Sequence, residues 1–147
     1  MQRVALITGA SRGLGATLAD LLAVLGYDLV ITARNTPSLD ASASSLARHG
    51  SQVIAIPGDI ADAGHRWKLT EAVRSLGRLD LLVNNASILG ASPQPTLAEY
   101  PLEILEQVYA VNVLAPLGLV QTLLPLLRIS HGLIVNISSD AAIGGYA

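Results

Sequence analysis

The glycine-rich turn after the first apolar run constrains the fold of this chain more than any other stretch. Four apolar residues, Val4–Ile7, lead into Thr8 and Gly9, and then Gly13 and Gly15 precede an apolar pattern with helical spacing. Glycine has no Cβ, so it can take a positive φ and lets a ligand approach the backbone. The first turn of a helix carries unpaired N–H groups at the positive end of its dipole, which favours a phosphate. The stretch therefore predicts a strand, a tight turn and a helix that together bind a dinucleotide.

Composition limits the classes of protein to which the chain can belong. Its 147 residues are enough for one domain of ordinary size. Hydrophobic residues make up 51% of the chain and charged residues 14%, so much of it is buried on both faces or presents apolar surface to a partner. The net charge of −2 gives no reason to expect nucleic acid or an anionic membrane as a partner. The sequence has no cysteine, which excludes a disulfide or a thiolate site.

Neither a signal peptide nor a membrane span is predicted. The first apolar run is short and opens directly into the glycine turn. The longest apolar stretch, residues 111–127, contains Asn112, Gln121, Thr122 and two prolines, and we interpret it as too short and too polar to cross a bilayer. The expected location is therefore cytoplasmic.

Apolar runs alternate with helical patterns along the whole chain, which favours βαβ units with right-handed crossovers. The predicted strands are residues 3–8, 28–33, 52–57, 79–84 and 132–138. The predicted helices are residues 13–25, 36–49, 63–76 and a long helix that ends at about residue 128, with a break near Pro101. The predicted fold class is α/β, a doubly wound, Rossmann-like parallel sheet of order 3-2-1-4-5 without the sixth and seventh strands. We expect a single dinucleotide-binding domain over residues 1–147, incomplete at its carboxyl end.

Two helix starts are predicted from their capping residues. Thr36 is the predicted N-cap of the second helix, because Pro37 follows it at the first helical position. Asp62 is the predicted N-cap of the third helix.

Polar or turn-forming residues follow every predicted strand. Ligands of doubly wound sheets bind beyond the carboxyl ends of the strands, near the switch between strands one and four. The residues at these ends are Thr8 and Gly9, Arg34, Asp59, Asn84 and Asn85, and Ser138 and Ser139. We therefore expect one ligand site to which all five strand ends contribute.

The glycine spacing is T-G-x-x-x-G-x-G rather than the common G-x-G-x-x-G. It resembles the cofactor loop of the short-chain dehydrogenase/reductase family, classical type, and the resemblance covers the whole chain as the amino-terminal part of that family. It implies hydride transfer between a nicotinamide cofactor and a carbonyl or secondary alcohol. A turn that needs glycine only for packing is the alternative. The candidate cofactor-binding residues are Thr8, Gly9, Ser11, Arg12, Gly13, Leu14, Gly15, Arg34, Asp59, Ile60, Asn85 and Ala86.

Two arginines bear on the choice between NADP and NAD. An NAD site usually has an acid after strand two for the ribose 2′-hydroxyl, but here the strand ends in Ala33 and Arg34. Arg12 lies inside the glycine turn, so two guanidinium groups could flank a 2′-phosphate. The alternative is two solvated arginines. Their joint placement favours NADP(H) over NAD(H).

Asp59 and Ile60 resemble the family's adenine contact, with a carboxylate for the exocyclic amine and an apolar wall for the ring. An ordinary turn aspartate is the alternative. The segment N-N-A-S after strand four resembles the family's N-N-A-G, with serine in place of the last glycine. That resemblance implies that Asn85 and Ala86 border the cofactor, and we expect the asparagine pair to tie neighbouring strands as well.

Asn112 lies among apolar residues with helical spacing, and we expect it to be buried and in need of hydrogen-bond partners. Pro116 has no N–H to donate to the Asn112 carbonyl, so a helix would be disturbed there. The resemblance implies that Asn112 is catalytic and that it holds a water of the proton relay. A core asparagine with satisfied hydrogen bonds is the alternative.

The segment I-V-N-I-S-S, residues 134–139, resembles the one that carries the family's catalytic serine. The matching residue is Ser139, which would hydrogen-bond the substrate oxygen, and Ser138 is the neighbour with which it could be confused. A pair of serines in a turn is the alternative.

The remaining candidates for chemistry are weaker. The three histidines, His49, His65 and His131, show no metal or triad spacing, so we interpret all of them as surface residues and predict no metal site. Trp67 and the tyrosines are too scattered for an aromatic platform that binds nucleic acid.

The resemblance is incomplete at one chemically decisive point. The family has a Y-x-x-x-K pair after its serine, in which the tyrosine is the general acid/base and the lysine lowers its pKa. Here Tyr146 comes too early after Ser139, and no lysine follows it. A truncated product, a fragment and one piece of a split enzyme all fit this pattern.

The predicted function is an NADP(H)-dependent oxidoreductase of the short-chain type, inactive as this chain alone. Its substrate is a small carbonyl compound or alcohol that the sequence does not identify, and a homo-oligomer through residues 101–128 is expected. The alternative is a non-catalytic dinucleotide-binding or interaction module. The genomic frame beyond Ala147 discriminates between the two.

Overall fold

The computed structural model describes residues 2–139. Five strands form a parallel sheet of order β3-β2-β1-β4-β5, which confirms the predicted doubly wound α/β fold. The strands are β1 (Arg3–Thr8), β2 (Tyr27–Thr32), β3 (Val53–Ala55), β4 (Leu81–Asn84) and β5 (Leu133–Asn136). The helices are α1 (Gly13–Val24), α2 (Thr36–Leu46), α3 (Ala63–Ser75), α4 (Leu102–Tyr109) and α5 (Ala115–Ser130), with 3-10 turns at Ala47–His49 and Leu97–Glu99.

The central strands are covered by helices on both faces, which explains why they are continuous apolar runs in the sequence. On one face Leu6 and Leu82 are buried in a cluster that includes residues of α3 and α5. On the other face Ile7 and Val83 are buried in a cluster that includes residues of α1 and α2. Because β1 pairs with both β2 and β4, the end of β1 at Thr8 lies at the switch point of the sheet.

One of the two predicted helix starts is wrong by one residue. Asn35, not Thr36, is the N-cap of α2, and its side-chain oxygen accepts a hydrogen bond of 2.9 Å from the backbone N–H of Ser38. Asparagine is a stronger N-cap than threonine, so Thr36 becomes the first helical residue. Asp62 caps α3 as predicted, and its carboxylate accepts from two backbone N–H groups of the first turn.

The helical run Leu102–Ser130 is continuous but irregular. α4 begins directly after Pro101, where the break is predicted. A π-helical turn at Ala110–Leu114 joins α4 to α5. Pro116 has no N–H for the carbonyl four residues earlier, and a wider turn is one way in which a helix accommodates that loss. The predicted disturbance near Asn112 is confirmed.

By length and composition, this helical run could cross a membrane. The expectation that its apolar stretch is too short and too polar is therefore wrong on these two measures, because the helix extends beyond that stretch at both ends. Core helices of soluble proteins that are mostly buried meet the same criterion, whereas 22% of the apolar window of this helix is buried. In α5 a stripe of residues is buried in the core beneath the sheet: Ala115, Leu119, Leu123 and Leu127.

Apolar surface remains exposed around β5, the strand at one edge of the described sheet. All four residues of β5 are exposed, and β4 is its one partner among the described strands. Leu117 and Ile129 of α5 are exposed as well. An unpaired strand edge beside exposed apolar side chains favours association with further protein.

Candidate functional site

A cleft of about 770 Å³ lies at the carboxyl ends of the strands, where the sequence predicts the ligand site. It is lined by the β1–α1 loop, the segment from β2 into α2, the β3–α3 loop and the loop after β4. Most of the predicted cofactor residues meet here: Gly9, Ser11, Arg12, Gly13, Leu14, Arg34, Asp59, Ile60, Asn85 and Ala86.

The β1–α1 loop has a backbone that requires its glycines. Gly9 has a φ of +70° and Gly13 a φ of +56°, values that residues with a Cβ rarely adopt. A Cβ on Gly15 would lie 2.3 Å from the carbonyl oxygen of Gly9, so α1 begins in direct contact with the turn. Arg12, the N-cap residue of α1, makes no side-chain capping bond. The first turn of α1 therefore borders the cleft without a capping side chain over its N–H groups.

Thr8 and Gly15 are the two predicted cofactor residues outside the cleft lining. They hold the β1–α1 loop in place from the side away from the cleft. Oγ1 of Thr8 accepts hydrogen bonds of 3.0 Å from the backbone N–H groups of Asn85 and Ala86. Nδ2 of Asn85 donates to the carbonyl oxygens of Thr8 and Gly9, at 3.0 and 3.1 Å. These bonds join the loops that follow β1 and β4.

The asparagine pair also joins strands, as predicted. Nδ2 of Asn84 donates to Oδ1 of Asn136 at 2.8 Å, between residues that are in register on β4 and β5. Asn85 makes the corresponding link on the other side, to the end of β1. The pair therefore has a structural part that is independent of any ligand.

The end of β2 contributes two groups to the cleft, the backbone carbonyl of Thr32 and the guanidinium of Arg34. The carbonyl oxygen of Thr32 accepts hydrogen bonds from the N–H groups of Gly9 and Ala10, at 2.8 and 3.1 Å. Arg34 and Arg12 are exposed residues of the cleft lining, and neither forms an ion pair with a carboxylate of residues 2–139. Two unpaired guanidinium groups in one cleft attract an anion.

The β3–α3 loop contributes Asp59 and Ile60 to the cleft. Oδ1 of Asp59 accepts from the N–H of Ala61 at 2.9 Å, so Asp59 is both a turn aspartate and a cleft residue. Ile60 is buried and gives the cleft an apolar wall. Nη1 of Arg66 donates to the carbonyl oxygens of Ile60 and Ala61, at 2.8 and 2.7 Å, and fastens this loop to α3.

His65 is buried beneath the cleft, so its interpretation as a surface residue is wrong. Its Nε2 lies 2.7 Å from Oγ1 of Thr32, and a Cβ on Gly58 would lie 2.3 Å from its Nδ1. Burial lowers the pKa of the imidazole below its usual 6.5, so the ring is neutral at neutral pH. The sequence could not indicate this, because the contact joins α3 to a distant strand. His49 and His131 are exposed, as predicted.

Asn112 is exposed, which corrects the expectation of a buried residue. Its Oδ1 accepts from the N–H of Ile88 at 3.0 Å, and its Nδ2 donates to the carbonyl oxygen of Ile88 at 2.9 Å. The apolar residues around Asn112 do not indicate burial, because Val113 and Leu114 are exposed as well and Val111 alone of these three faces the core. Asn112 thus holds the loop after β4 against the π-helical turn, and Ile88 and Val111 line the cleft.

Ser139 lies beyond the end of β5 and is exposed, and so is Ser138. Ser139 is not among the residues that line the cleft, so the structure does not bring the predicted catalytic serine into the predicted cofactor site. Tyr146, which comes too early after Ser139 to match the family's tyrosine, lies outside the described residues.

The cleft also contains residues that the sequence analysis did not single out. Asn35 and Ser38, the capping pair of α2, lie in the cleft lining with Arg34, and Gly58 precedes Asp59. Asparagine is a favoured N-cap residue, so the place of Asn35 just before a predicted helix could have indicated it. Ile88 and Val111 complete the lining on the side of β4, beside Ser87, the serine that replaces the family's glycine.

Comparison with known proteins agrees with this geometry. The short chain dehydrogenase family model matches residues 3–147. A rhamnolipid-biosynthesis 3-oxoacyl-[acyl-carrier-protein] reductase of Pseudomonas aeruginosa is 37% identical over 96% of this chain and 56% of its own length. The solved RhlG/NADP active-site complex of Pseudomonas aeruginosa is 36% identical with a TM-score of 0.84, over 99% of this chain and 57% of that chain.

A second solved neighbour carries the other cofactor. An NAD+-bound xylitol dehydrogenase has a TM-score of 0.88 at 25% identity, over 98% of this chain and 55% of that chain. The chain therefore spans little more than half the length of the relatives that it matches. The family match over nearly all of the chain, the parallel sheet and the glycine-turn cleft lead to one conclusion: the chain belongs to the short-chain dehydrogenase family.

Proposed function

We propose that this chain binds NADP(H) in the cleft and contributes the cofactor half of a site for hydride transfer to or from a carbonyl or secondary alcohol. The observation that carries the proposal is the glycine-rich start of α1 in one cleft with Arg12 and Arg34. The Pseudomonas aeruginosa neighbour binds NADP and the xylitol dehydrogenase binds NAD+, which supports a nicotinamide dinucleotide as the cofactor class.

The residues present suit such a ligand in size and chemistry. The cleft volume of about 770 Å³ lies within the range of ligand pockets, about 300–1,000 Å³. Apart from the adjoining backbone, no atom lies within 4 Å of a Cβ placed on Gly13, so a phosphate can approach the first turn of α1. Ile60 would wall the adenine ring and the Asp59 carboxylate would accept from its amine. The bound nicotinamide ring supplies or accepts the hydride.

Two further residues would act on the substrate side. Ser139 would donate a hydrogen bond to the substrate oxygen. Asn112 uses one N–H and one lone pair of its amide on Ile88. A primary amide has two N–H groups and two lone pairs, so one of each remains to hold a water.

We expect NADP(H) to bind about 10- to 100-fold more tightly than NAD(H) at one salt concentration. Arg12 and Arg34 would give charge-assisted bonds to the 2′-phosphate, weakened by solvent exposure, and no acid follows β2 to favour the 2′-hydroxyl. Fluorescence titration of both reduced cofactors measures the ratio. Arg34→Ala should reduce it about tenfold, and Arg48→Ala, an exposed arginine outside the cleft, should leave it unchanged. Tighter binding of NAD(H) would reject the proposed preference.

A non-catalytic dinucleotide-binding or interaction module is the second candidate function. One observation favours it: Ser139, the predicted catalytic serine, lies outside the cleft lining. Dinucleotide binding without turnover would distinguish this candidate from a reductase. Under either candidate we propose one dinucleotide-binding domain and a cytoplasmic location.

We also propose a homo-oligomer through residues 101–128, and we expect the chain to self-associate at micromolar concentration. Leu105, Tyr109 and Leu117 expose apolar surface along α4 and α5, which water disfavours. Sedimentation velocity measures the association, and Leu117→Lys should shift the chain toward the monomer. Leu21→Lys on α1 is the matched control, since Leu21 and Leu117 are 53% and 51% exposed. A sharp monomer peak without binding of an apolar dye would contradict this expectation.

A further inference from the structure

His65 connects two walls of the cleft from below. Its Nε2 is 2.7 Å from Oγ1 of Thr32, and the carbonyl oxygen of the same Thr32 accepts from the N–H groups of Gly9 and Ala10. The β1–α1 loop therefore rests on the residue to which His65 is bonded.

The other wall meets the same imidazole. A Cβ on Gly58 would lie 2.3 Å from Nδ1 of His65 and 2.5 Å from its Cε1, so the backbone at Gly58 lies directly on the ring. Gly58 and Thr32 both line the cleft, while His65 itself does not. The imidazole thus lies below the junction of the β2 end with the β3–α3 loop, where the N–H of Gly58 also donates to the carbonyl oxygen of Ala33 at 3.0 Å.

Hydrogen bonds fix the first turn of α3, and with it the position of His65. The backbone N–H of His65 donates to Oδ2 of Asp62 at 3.1 Å. The next residue, Arg66, donates to the carbonyl oxygens of Ile60 and Ala61, which follow Gly58 in the same loop. α3 is therefore bonded to the end of the loop that precedes it.

We propose that His65 is a positioning residue of the dinucleotide site, which supports the end of β2 and the β3–α3 loop from below, where the adenosine half of the ligand would lie. The inference rests on the proposed function and deepens it, since it names the residue that shapes one half of the site. His65 touches no ligand in this account and acts through Thr32 and Gly58.

The charge state of the ring links this role to pH. Four charged groups act on the imidazole: Asp62, Lys68 and Arg66 of α3 and its cap, and Asp59 of the preceding loop. Thr32, its contact on β2, is uncharged. Burial outweighs the carboxylates and lowers the pKa of His65 below its usual 6.5, so the buried position favours the neutral ring. An opened site with a solvated ring binds the proton more readily, so acid below about pH 6.5 favours opening and weakens ligand binding.

The test is the affinity of the 147-residue chain for NADP+ between about pH 5.5 and pH 7.5, with circular dichroism to confirm folding at each pH. In His65→Gln a side-chain amide can still reach the Thr32 hydroxyl but does not titrate. Affinity at pH 7.5 should stay within about twofold of wild type, and the loss in acid should be smaller than in wild type by about threefold or more. The 2′-phosphate titrates in the same range, but its effect cancels in the ratio of the two proteins. His49→Gln, at an exposed histidine that bonds Asp20, should follow the wild-type profile.

A second pair of variants distinguishes a positioning role of His65 from a general loss of structure. His65→Leu should weaken binding about tenfold at every pH, because Thr32 loses its partner. Thr32→Val combined with His65→Leu should cost no more than His65→Leu alone, since both changes remove the same bond.

The outcomes distinguish the two proposals. Wild-type chain that binds neither NADP+ nor NAD+ would overturn the proposed function and this inference together. Wild-type binding with a His65→Gln profile that matches wild type in acid, or with additive losses in the double variant, would overturn the positioning role alone. If His65→Leu fails to fold, the pH profile of His65→Gln decides.

Discussion

The Gly15→Ala variant should lose dinucleotide affinity by about 100-fold or more. The added Cβ would lie 2.3 Å from the carbonyl oxygen of Gly9 and 2.5 Å from Nδ2 of Asn85. Neither atom can move away without breaking hydrogen bonds, because the N–H of Gly9 donates to Thr32 and the side chain of Asn85 is bonded to the end of β1. Overpacking of this kind typically costs about 1–3 kcal/mol and moves backbone. Here it would push the first turn of α1 away from the position at which its N–H groups meet a phosphate.

Titration with NADP+ and thermal unfolding followed by circular dichroism measure the two consequences. Gly64→Ala in α3 is the matched control, since its added Cβ would meet nothing nearer than a carboxylate oxygen of Asp62 at 3.5 Å. This control should bind normally and unfold at the same or a higher temperature, because alanine is a better helix former than glycine. A Gly15→Ala chain that binds as wild type does would show that the contact between α1 and the turn is not needed.

The glycine turn and the sheet order could be predicted from sequence because each depends on local chemistry. The run Val4–Ile7 must be a strand buried on both faces, and Gly9 and Gly13 take positive φ in the turn that follows. Right-handed crossovers then leave few strand orders open. The boundaries differ from the predicted ones by at most three residues, as at β3, where the pairing with β2 is shorter than the apolar run.

The positions of single polar side chains could not be predicted in the same way. His65 resembles a residue in the first turn of a surface helix, yet its ring is buried because Gly58 leaves room for it. Asn112 sits in an apolar pattern, yet that pattern faces outward at Val113 and Leu114. In both cases the decisive contact joins segments that are distant along the chain, and periodicity carries no information about such contacts.

The 147-residue chain should reduce carbonyl compounds on the order of 10⁴-fold or more slowly than an extended version with a Tyr-x-x-x-Lys segment. Hydride transfer to a carbonyl puts negative charge on its oxygen, which must be stabilised and then protonated. Ser139 offers one hydroxyl for stabilisation. Asn112 can hold a water, but its amide is already bonded to Ile88, and the 147 residues contain no Tyr-x-x-x-Lys to supply the proton.

The size of the expected deficit follows from two separate losses. A positioned general acid contributes about 10²- to 10⁴-fold, and a small misplacement of the reacting groups costs about another 10²-fold. Lys68, the one lysine in the sequence, lies on α3 and is exposed, outside the cleft lining. It therefore replaces neither the pKa-lowering cation nor a contact to the nicotinamide ribose. A tyrosine alone, with a pKa near 10, would be a poor acid/base at neutral pH.

Oxidation of NADPH in the presence of a panel of ketones and aldehydes measures this deficit, with the extended version as the reference. Ser139→Ala and Ser138→Ala form the matched pair of controls, because both remove an exposed hydroxyl and the proposed role belongs to one of them. If both variants retain the full activity, that activity comes from contaminating host reductase. The rate of the chain itself is then near zero, as expected. Turnover near one per second that disappears in Ser139→Ala and persists in Ser138→Ala would contradict the expectation. It would mean that the serine is sufficiently placed and that another group of the chain, with Tyr146 as the nearest candidate in sequence, supplies the proton.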